Sequence, residues 1–365
     1  KKMSKSKGNV IDPLTVMDQH GTDAFRFTLA ALSTQGRDIR LSEERIKGYR
    51  NFANKIWNAS RFVLMNLEGY SPPQTDSQKT SSSLADRWIL SRLHRLIGEV
   101  KEAFREYKFN DVANLIYQFI WHEFCDWYLE LAKPALNQKD DKESRCATQH
   151  TMAEVLTASL QLLHPIMPFI TEEIWQKLPL AQESIMISPY PELSPEKIDE
   201  DAEAKMSLII EVVNSIRTIR WEMNIPTSQR VEVFLLCKNP ESLDILHNYS
   251  LYIESLGKAD HITISDKMKK PDSAAAGVAQ DVEIFLPLKG LIDFAEEERR
   301  LEKEIDKISR DLTKVNKKLS NEDFLAKAPE DIIEKEKLKA SELKAKQEKM
   351  EKNRARIKKL VSEVS

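Results

Sequence analysis

Residues 301–319 have the sequence LEKEIDKISRDLTKVNKKL, in which the apolar positions advance alternately by four and three residues. These positions are Leu301, Ile305, Ile308, Leu312, Val315 and Leu319. An apolar residue every 3.5 positions on average forms the seam of a coiled coil. The stretch therefore predicts a long helix that buries one apolar stripe against a second helix.

A second stretch, after a short break at residues 321–329, repeats this period with polar interruptions. Its stripe consists of Ile333, Glu336, Ala340, Leu343, Gln347, Met350, Arg354, Ile357 and Val361. We expect the two stretches to fold back as an antiparallel hairpin, with Leu319 facing Ile333 and Ile308 facing Leu343. A coiled coil between two chains is the alternative.

The region before the hairpin has a mixed pattern. Runs rich in β-branched and apolar residues at 231–236, 261–264 and 281–286 predict three strands. Helical periodicity near residues 203–221 and 242–256 predicts the helices between them. Together these elements predict a small α/β module.

Most of the chain before this module has helical periodicity. Apolar stripes begin near Ser42, Ala85, Phe109, Glu143 and Phe169, and they predict an antiparallel helix bundle. Residues 117–128, YQFIWHEFCDWY, are apolar on most faces and favour a buried central helix over a cofactor site. The sequence thus predicts a mainly α protein.

We expect four parts along the chain. Residues 1–41 form an N-terminal segment, residues 42–195 the helix bundle, residues 196–288 the α/β module and residues 289–365 the coiled-coil arm. The boundaries follow changes in periodicity and clusters of proline.

Composition excludes several classes of protein. The chain has 365 residues, 41% hydrophobic and 31% charged, with a formal net charge of −3 and only nine glycines. It is too apolar for a disordered chain, and it contains no apolar run long enough for a membrane helix. The three scattered cysteines include no CxxC pair, so we expect neither a disulfide framework nor a structural zinc ion. These features favour a cytoplasmic protein.

Charge is distributed unevenly. Residues 335–359 contain 11 Lys and Arg against 4 Asp and Glu. A basic helix face on an otherwise acidic protein indicates a polyanionic partner, while a merely solvated helix face is the alternative. The basic candidates on this helix are Lys337, Lys339, Lys344, Lys346, Arg354 and Arg356.

The chain begins with a basic loop, KKMSKSKGN at residues 1–9. Several ammonium groups and two hydroxyls beside a glycine suit the binding of a polyphosphate, since lysines act as compact positive charges. The GxxxxGK[ST] pattern of a P-loop is absent. A flexible basic terminus is the alternative.

Residues 2–6, KMSKS, match a signature of the class I aminoacyl-tRNA synthetases, and the chain resembles that family over nearly its whole length. The other stretches that carry the resemblance are 36–39 with 49–62, 123–130, 164–175 and 324–330. The last of these, FLAKAPE, together with the hairpin, is most similar to the valyl enzymes. An isoleucyl enzyme is the alternative, although the cysteines that often bind zinc there are missing.

The resemblance implies a ligase of protein synthesis that attaches valine to its tRNA with ATP and magnesium. The amino-acid carboxylate attacks the α-phosphate of ATP, pyrophosphate leaves, and the acyl group passes to the terminal ribose of the tRNA. Lys5 would contact ATP and stabilise the transition state, with Lys2 as a weaker candidate. Ser4 and Ser6 would shape the ATP-binding loop.

The resemblance also implies that the bundle binds the anticodon and that the arm binds tRNA phosphates. The anticodon candidates are Lys55, Arg61, Phe62 and Arg50, because an aromatic ring flanked by cations suits an unpaired base. Periodicity leaves a second role open for Phe62, which is burial in the core.

The sequence departs from the family pattern in one respect. It contains no HIGH motif, no nucleotide-binding Rossmann unit and no editing domain, so we expect this chain alone to lack amino-acid activation. Residues 220–226, RWEMNIP, match a family stretch but suggest no chemical role. A monomer is expected from the hairpin, whereas a helical scaffold that binds proteins through its coiled coil remains the alternative function.

Overall fold

The computed structural model describes residues 11–34, 41–70, 83–138, 141–179, 183–288, 291, 294–321, 324 and 329–364. The chain divides into two compact units, Lys1–Met206 and Ser207–Ser365. In the described residues the first unit is helical, and the second combines a small sheet with a helical hairpin. The predicted mainly α class is confirmed.

The first unit is a bundle of helices. They are α1 (Pro13–His20), α2 (Thr22–Leu32), α3 (Glu43–Asn66), α4 (Leu84–Arg105), α5 (Phe109–Gln118), α6 (Leu129–Asn137), α7 (Lys142–Leu163) and α8 (Pro168–Trp175). Helix α9 (Glu200–Glu222) begins in this unit and continues into the second. The apolar stripes of α3, α4 and α7 supply much of the core.

The segment between α5 and α6 differs from the prediction. Residues 119–128 form a π-helical stretch, Phe119–Tyr128, within the helical run predicted by the aromatic sequence. Phe124 and Tyr128 are fully buried, whereas Trp121, Glu123 and Asp126 are only partly so. The segment therefore packs into the core on one side and presents polar groups on the other.

A buried carboxylate fixes the start of α4. Ser83 and Asp86 form a reciprocal capping box, in which each side chain accepts a hydrogen bond from the other's backbone N–H. Asp86 is 1% exposed and also accepts hydrogen bonds from Tyr128 Oη at 2.6 Å and Thr148 Oγ1 at 3.2 Å. These hydrogen bonds satisfy its oxygen atoms and connect α4 to α7 and the π-helical stretch.

Helix α2 is attached to α8 through polar contacts. The Asp23 carboxylate accepts hydrogen bonds from the N–H groups of Phe169 and Ile170 at the start of α8. Burial raises the pKa of Asp23, while these two backbone bonds oppose that rise. Arg26 donates to the carbonyls of Pro165 and Ile166 just before α8.

Ion pairs attach the start of α9 to α4. Arg95 Nε lies 2.7 Å from Glu203 Oε1, and Arg87 Nε lies 2.7 Å from Asp199 Oδ2. The hydrogen bond from Arg87 holds the pKa of the Asp199 carboxyl below its usual range. The α4–α9 contact is therefore partly electrostatic.

The second unit contains a small mixed sheet. Its elements are β1 (Val231–Cys237), α10 (Pro240–Asn248), α11 (Ser250–Gly257), β2 (Ala259–Ser265), β3 (Ala274–Ala279) and β4 (Val282–Pro287). Among the described residues the strand order is β2-β1-β4-β3. Strand β1 pairs in parallel with β2 and antiparallel with β4, which pairs antiparallel with β3.

The module was predicted with one strand too few and one helix too long. The predicted strands correspond to β1, β2 and β4, whereas β3, AAAGVA, was not predicted. The helix predicted over residues 242–256 is interrupted at Tyr249, between α10 and α11.

The hairpin consists of α12 (Phe294–Leu319) and α13 (Glu330–Val364). Leu301, Ile308 and Val315 of the predicted seam are buried, as is Ile357 on the opposite helix. Lys318 pairs with Glu336 at 2.9 Å near the tip, and Lys358 pairs with Glu298 at 3.3 Å near the base. The two helices are therefore antiparallel, while the facing of Leu319 with Ile333 and of Ile308 with Leu343 stays a prediction.

Candidate nucleic-acid interface

Helix α3 positions the residues predicted to bind the anticodon. Ser42 caps its N-terminus by accepting a hydrogen bond from Arg45 N–H at 3.4 Å. Phe52, Ile56 and Val63 bury the apolar stripe in the core. Lys55, Arg61 and Phe62 lie on α3 outside this buried stripe, and Lys55 and Phe62 are two turns apart, about 10 Å along the axis.

Lys55 is already paired with an acidic residue. Its Nζ lies 2.7 Å from Asp126 Oδ1 and 5.3 Å from the ring centroid of Trp121. Asp126 Oδ2 also lies 3.4 Å from His122 Nδ1. Asp126, Trp121 and His122 all belong to the π-helical stretch. The change of helix type therefore occurs where this segment contacts α3. π-helical segments are frequent at functional sites.

Phe62 is half-buried, so part of its ring is accessible. Lys133 Nζ of α6 lies 5.9 Å from the ring centroid, and the same ammonium lies 2.6 Å from Glu130 Oε1. Arg61, beside Phe62, is exposed. An aromatic ring with two cations nearby is an arrangement that binds unpaired bases and their phosphates.

Arg50 has a different environment from the other candidates on α3. Its Nη1 donates a hydrogen bond to the carbonyl oxygen of Gln19 in α1 at 3.2 Å. The residue is exposed, and this bond connects α3 to α1. Among the residues that the structure describes, Arg50 therefore has a structural contact that Arg61 lacks.

Cys125 lies beneath this surface and is buried. Burial raises the pKa of its thiol to about 12, a rise that nearby Lys55 reduces. The thiol is therefore neutral at physiological pH and adds no charge beside Asp126.

The basic residues predicted on the arm fall into two groups. Lys337, Lys339 and Lys344 are exposed, and no ion pair is observed for them within the described part of the arm. Lys346 Nζ lies 3.6 Å from Glu304 Oε1. Arg354 lies in the seam, with Nη2 2.6 Å from Glu302 Oε1 and Nε 3.9 Å from Glu298 Oε1.

Several predicted residues lie outside the described part of the chain. They are Lys2, Ser4, Lys5, Ser6, residues 35–40, residues 325–328 of the FLAKAPE stretch and the side chain of Arg356. Their roles stay predictions.

Trp121 and Asp126 were missed by the sequence reasoning, which treated residues 117–128 as a buried helix, and Lys133 of α6 was missed as well. One signal was available: polar residues at 122, 123 and 126 recur at helical spacing within an otherwise apolar run. That spacing indicates a polar face on this helix.

The described residues contain neither a metal-binding cluster nor a membrane-spanning helix. No group of three or more His, Cys, Asp and Glu side chains has an arrangement suited to a metal ion. No helix in these ranges has the length and apolar character needed to cross a membrane.

Three family models match successive parts of the chain. Residues 1–42 match the class I tRNA synthetases for isoleucine, leucine, methionine and valine. Residues 86–235 match the anticodon-binding domain of tRNA ligases. Residues 293–358 match the tRNA-binding arm of valyl-tRNA synthetase, and this range includes most of the hairpin.

Curated relatives match almost the entire chain. It is 50% identical to the valine–tRNA ligase of Geobacter sulfurreducens over 98% of this chain and 41% of the relative. The corresponding enzyme of Syntrophotalea carbinolica is 49% identical over 94% of this chain and 38% of the relative. That of Thermotoga maritima is 44% identical over 99% and 39%. The chain thus spans about two fifths of the length of these relatives.

Proposed function

Because the chain belongs to the valine–tRNA ligase family, we propose that it is the part of such a ligase that binds the tRNA. The partner is valine tRNA, which the helix bundle recognises at the anticodon and the hairpin holds through phosphates. The observation that carries the proposal is the exposure of three lysines on α13, Lys337, Lys339 and Lys344, within a region that matches a tRNA-binding arm.

Anticodon binding is assigned to the surface of α3. Phe62 stacks on an unpaired base, and Arg61 and Lys55 contact the neighbouring phosphates or base edges. The partly exposed Phe62 ring with Lys133 nearby supports this assignment, since every base offers a face for stacking. Arg50 also lies on α3, but its contact with Gln19 suits a supporting role better than a direct one.

Phosphate binding is assigned to the arm. Lys337, Lys339 and Lys344 have ammonium groups without an observed carboxylate partner in the described residues, so no ion pair has to break before they bind RNA. The ion pair of Lys346 with Glu304, at 3.6 Å, is longer than that of Arg354 with Glu302, at 2.6 Å. Arg354 is committed to Glu302 and therefore stabilises the hairpin. We keep Arg356 as a candidate from its position in the sequence.

The activity of the whole ligase is part of the proposal. It activates valine with ATP and magnesium and then transfers the valyl group to the tRNA. Lys5 and Lys2 stabilise negative charge on the phosphates during activation, and Ser4 and Ser6 shape the loop. Such chemistry depends mainly on positioning and charge stabilisation. We place the protein in the cytoplasm, as a monomer without structural zinc, and retain the four-part division of the chain.

The alternative function is a scaffold that binds proteins through its coiled coil. The apolar seam of α12 packs against α13 of the same chain. The buried positions Leu301, Ile308 and Val315 are therefore unavailable to another molecule. This supports the tRNA-binding proposal over the scaffold.

Sedimentation of the chain with and without a valine tRNA transcript distinguishes the two functions. The proposal predicts a monomer over a wide concentration range and a one-to-one complex with tRNA at low salt. Concentration-dependent dimers that ignore tRNA would support the scaffold and contradict the proposal.

A further inference from the structure

The end of α9, Arg220-Trp221-Glu222, contacts the second helix of the hairpin. It belongs to the stretch 220–226, to which the sequence suggested no role. Trp221 is 60% exposed, an unusual position for the largest apolar side chain. Arg220, beside it, is instead 5% exposed. These two neighbours therefore have opposite environments at the end of one helix.

Arg220 makes the end of α9 rigid. Its Nη2 donates hydrogen bonds to the carbonyl oxygens of Pro226 at 2.8 Å and Gln229 at 2.7 Å, and its Nη1 donates to that of Lys258 at 3.2 Å. One guanidinium thus connects α9, the loop that follows it and the residue before β2. These hydrogen bonds fix the positions of Trp221 and Glu222 relative to the α/β module.

Two residues of α13 contact Trp221 and Glu222 at the end of α9. Lys349 Nζ lies over the ring of Trp221, 4.0 Å from its centroid. Asn353 Nδ2 donates a hydrogen bond to the carbonyl oxygen of Glu222 at 3.4 Å. The carbonyls in the last turn of a helix lack partners within it and carry partial negative charge, so an amide donor and an ammonium are well suited to that end.

The two contacts use a face of α13 that the hairpin seam does not need. Met350, Arg354 and Ile357 belong to the predicted seam, whereas Lys349 and Asn353 lie one turn apart beside it. Asn353 is nevertheless only 8% exposed. A buried asparagine at a helical contact typically fixes geometry at some cost in stability.

The hairpin needs such a contact to have a defined direction. Its first helix, α12, follows β4 in the chain, so the covalent connection attaches the hairpin to the module at one point. A single attachment leaves the direction of a rigid rod free. A second contact, on the other helix, removes that freedom.

We propose that Trp221, Lys349 and Asn353 form the joint that sets the direction of the arm relative to the α/β module, so that they are positioning residues for tRNA binding. The inference rests on the proposed function for its consequence and on contacts within the second unit for its geometry. A correctly directed arm meets the tRNA without an added search, which raises its effective concentration at the RNA.

The effect of the joint on the direction of the hairpin is tested without tRNA. Spin labels are placed on the full chain at Asn316→Cys in α12 and at Leu251→Cys in α11, both at exposed positions, in a Cys146→Ser background. Electron–electron distance measurements should give one narrow distribution for the native joint. Trp221→Ala and Asn353→Ala should broaden it, and Trp221→Phe, which keeps a ring for the ammonium, should restore it. Distance distributions of equal width in all variants would contradict the proposed joint.

The binding half uses two matched lysine variants. Lys349→Ala and Lys352→Ala each remove one positive charge from α13, but only Lys349 contacts Trp221, while Lys352 is exposed. We expect Lys349→Ala to raise the dissociation constant for valine tRNA about two- to fivefold more than Lys352→Ala does, because only Lys349→Ala removes the contact with Trp221. Trp221→Ala should add little to Lys349→Ala, because both remove the same contact.

Equal affinities for the two lysine variants, together with broadened distances for Lys349→Ala, would overturn the role in tRNA binding. A native chain that binds no tRNA would contradict the proposed function, and the distance measurements would still decide the joint. The two failures are therefore distinguishable.

Discussion

Lys55 Nζ lies 2.7 Å from Asp126 Oδ1, across 71 positions of sequence. The central cation of the candidate anticodon surface is therefore held by a carboxylate before any RNA binds. Both side chains are about one-third exposed, at 33% and 38%. Any phosphate or base that uses Lys55 has to compete with Asp126, so the pair reduces non-specific attraction and favours a ligand of the right geometry.

Removing the competing carboxylate should strengthen RNA binding. We expect Asp126→Asn to lower the dissociation constant for valine tRNA roughly two- to fivefold at low salt, because an exposed ion pair is worth up to about 1 kcal/mol and screening reduces it. Fluorescence anisotropy with labelled tRNA measures the change. Weaker binding by this variant would mean that Asp126 itself contacts the RNA.

Phe62 should contribute through stacking. Phe62→Ala is expected to weaken binding of valine tRNA roughly tenfold, since stacking of one base on an aromatic ring contributes about 1–3 kcal/mol. Met65→Ala is the matched control: Met65 lies one turn further along α3, is 72% exposed, and should change the affinity little. Similar losses in both variants would indicate a general effect on α3, and circular dichroism checks that each variant is folded.

The arm should determine the salt dependence. Replacing Lys337, Lys339 and Lys344 with alanine should reduce the slope of log affinity against log salt by about 2 to 3, because each phosphate contact contributes roughly 0.7–0.9. The matched control replaces Lys238, Lys269 and Lys270, three exposed lysines of the α/β module. Equal slopes for the two triple variants would remove the arm from the phosphate contacts.

Stability should fall at mildly acidic pH because of His94. Its Nδ1 accepts a hydrogen bond from the Ser194 N–H at 3.2 Å, which requires that nitrogen to be unprotonated. Burial, and then Lys197, lower the pKa of His94 below 6.5, whereas Glu154 and Glu196 oppose the shift. The unfolded chain therefore gains a proton at a higher pH than the folded chain, and the free energy of unfolding decreases as pH falls below about 6.5.

The variant His94→Gln keeps an acceptor for Ser194 but cannot titrate. Urea unfolding at pH 7.5 and pH 5.5 should show a smaller loss of stability in this variant than in the native chain. Part of the loss should persist, because burial also lowers the pKa of His164. An identical loss in both proteins would exclude His94 as a source of the pH dependence.

Sequence periodicity predicted the elements whose own apolar pattern determines how they pack. The heptad positions Leu301, Ile308 and Val315 are buried as expected, since a 3.5-residue period keeps one apolar stripe facing a neighbouring helix. Strand β3, in contrast, consists of alanine, glycine and one valine. Alanine and glycine carry little β preference, and pairing with β4 makes the segment a strand.

The site was harder to predict than the fold, because pairing between distant residues has no local signal. The pattern identified Lys55 and Arg354 as cations, but their partners, Asp126 and Glu302, lie 71 and 52 positions away. The same limit applies to Trp221 and Lys349, whose contact exists only after α9 and α13 meet. Sequence reasoning can therefore list charged candidates, and the fold decides which of them are free to bind RNA.

Anticodon recognition by the helix bundle is tested by comparing the binding of three RNAs across a salt series. They are a valine tRNA transcript, the same transcript with an isoleucine anticodon, and an unrelated tRNA. We expect preferential binding of the valine anticodon at every salt concentration, together with a steep salt dependence shared by all three RNAs. Equal binding of all three RNAs would contradict anticodon recognition by Lys55, Arg61 and Phe62 and would reduce the chain to a general tRNA clamp.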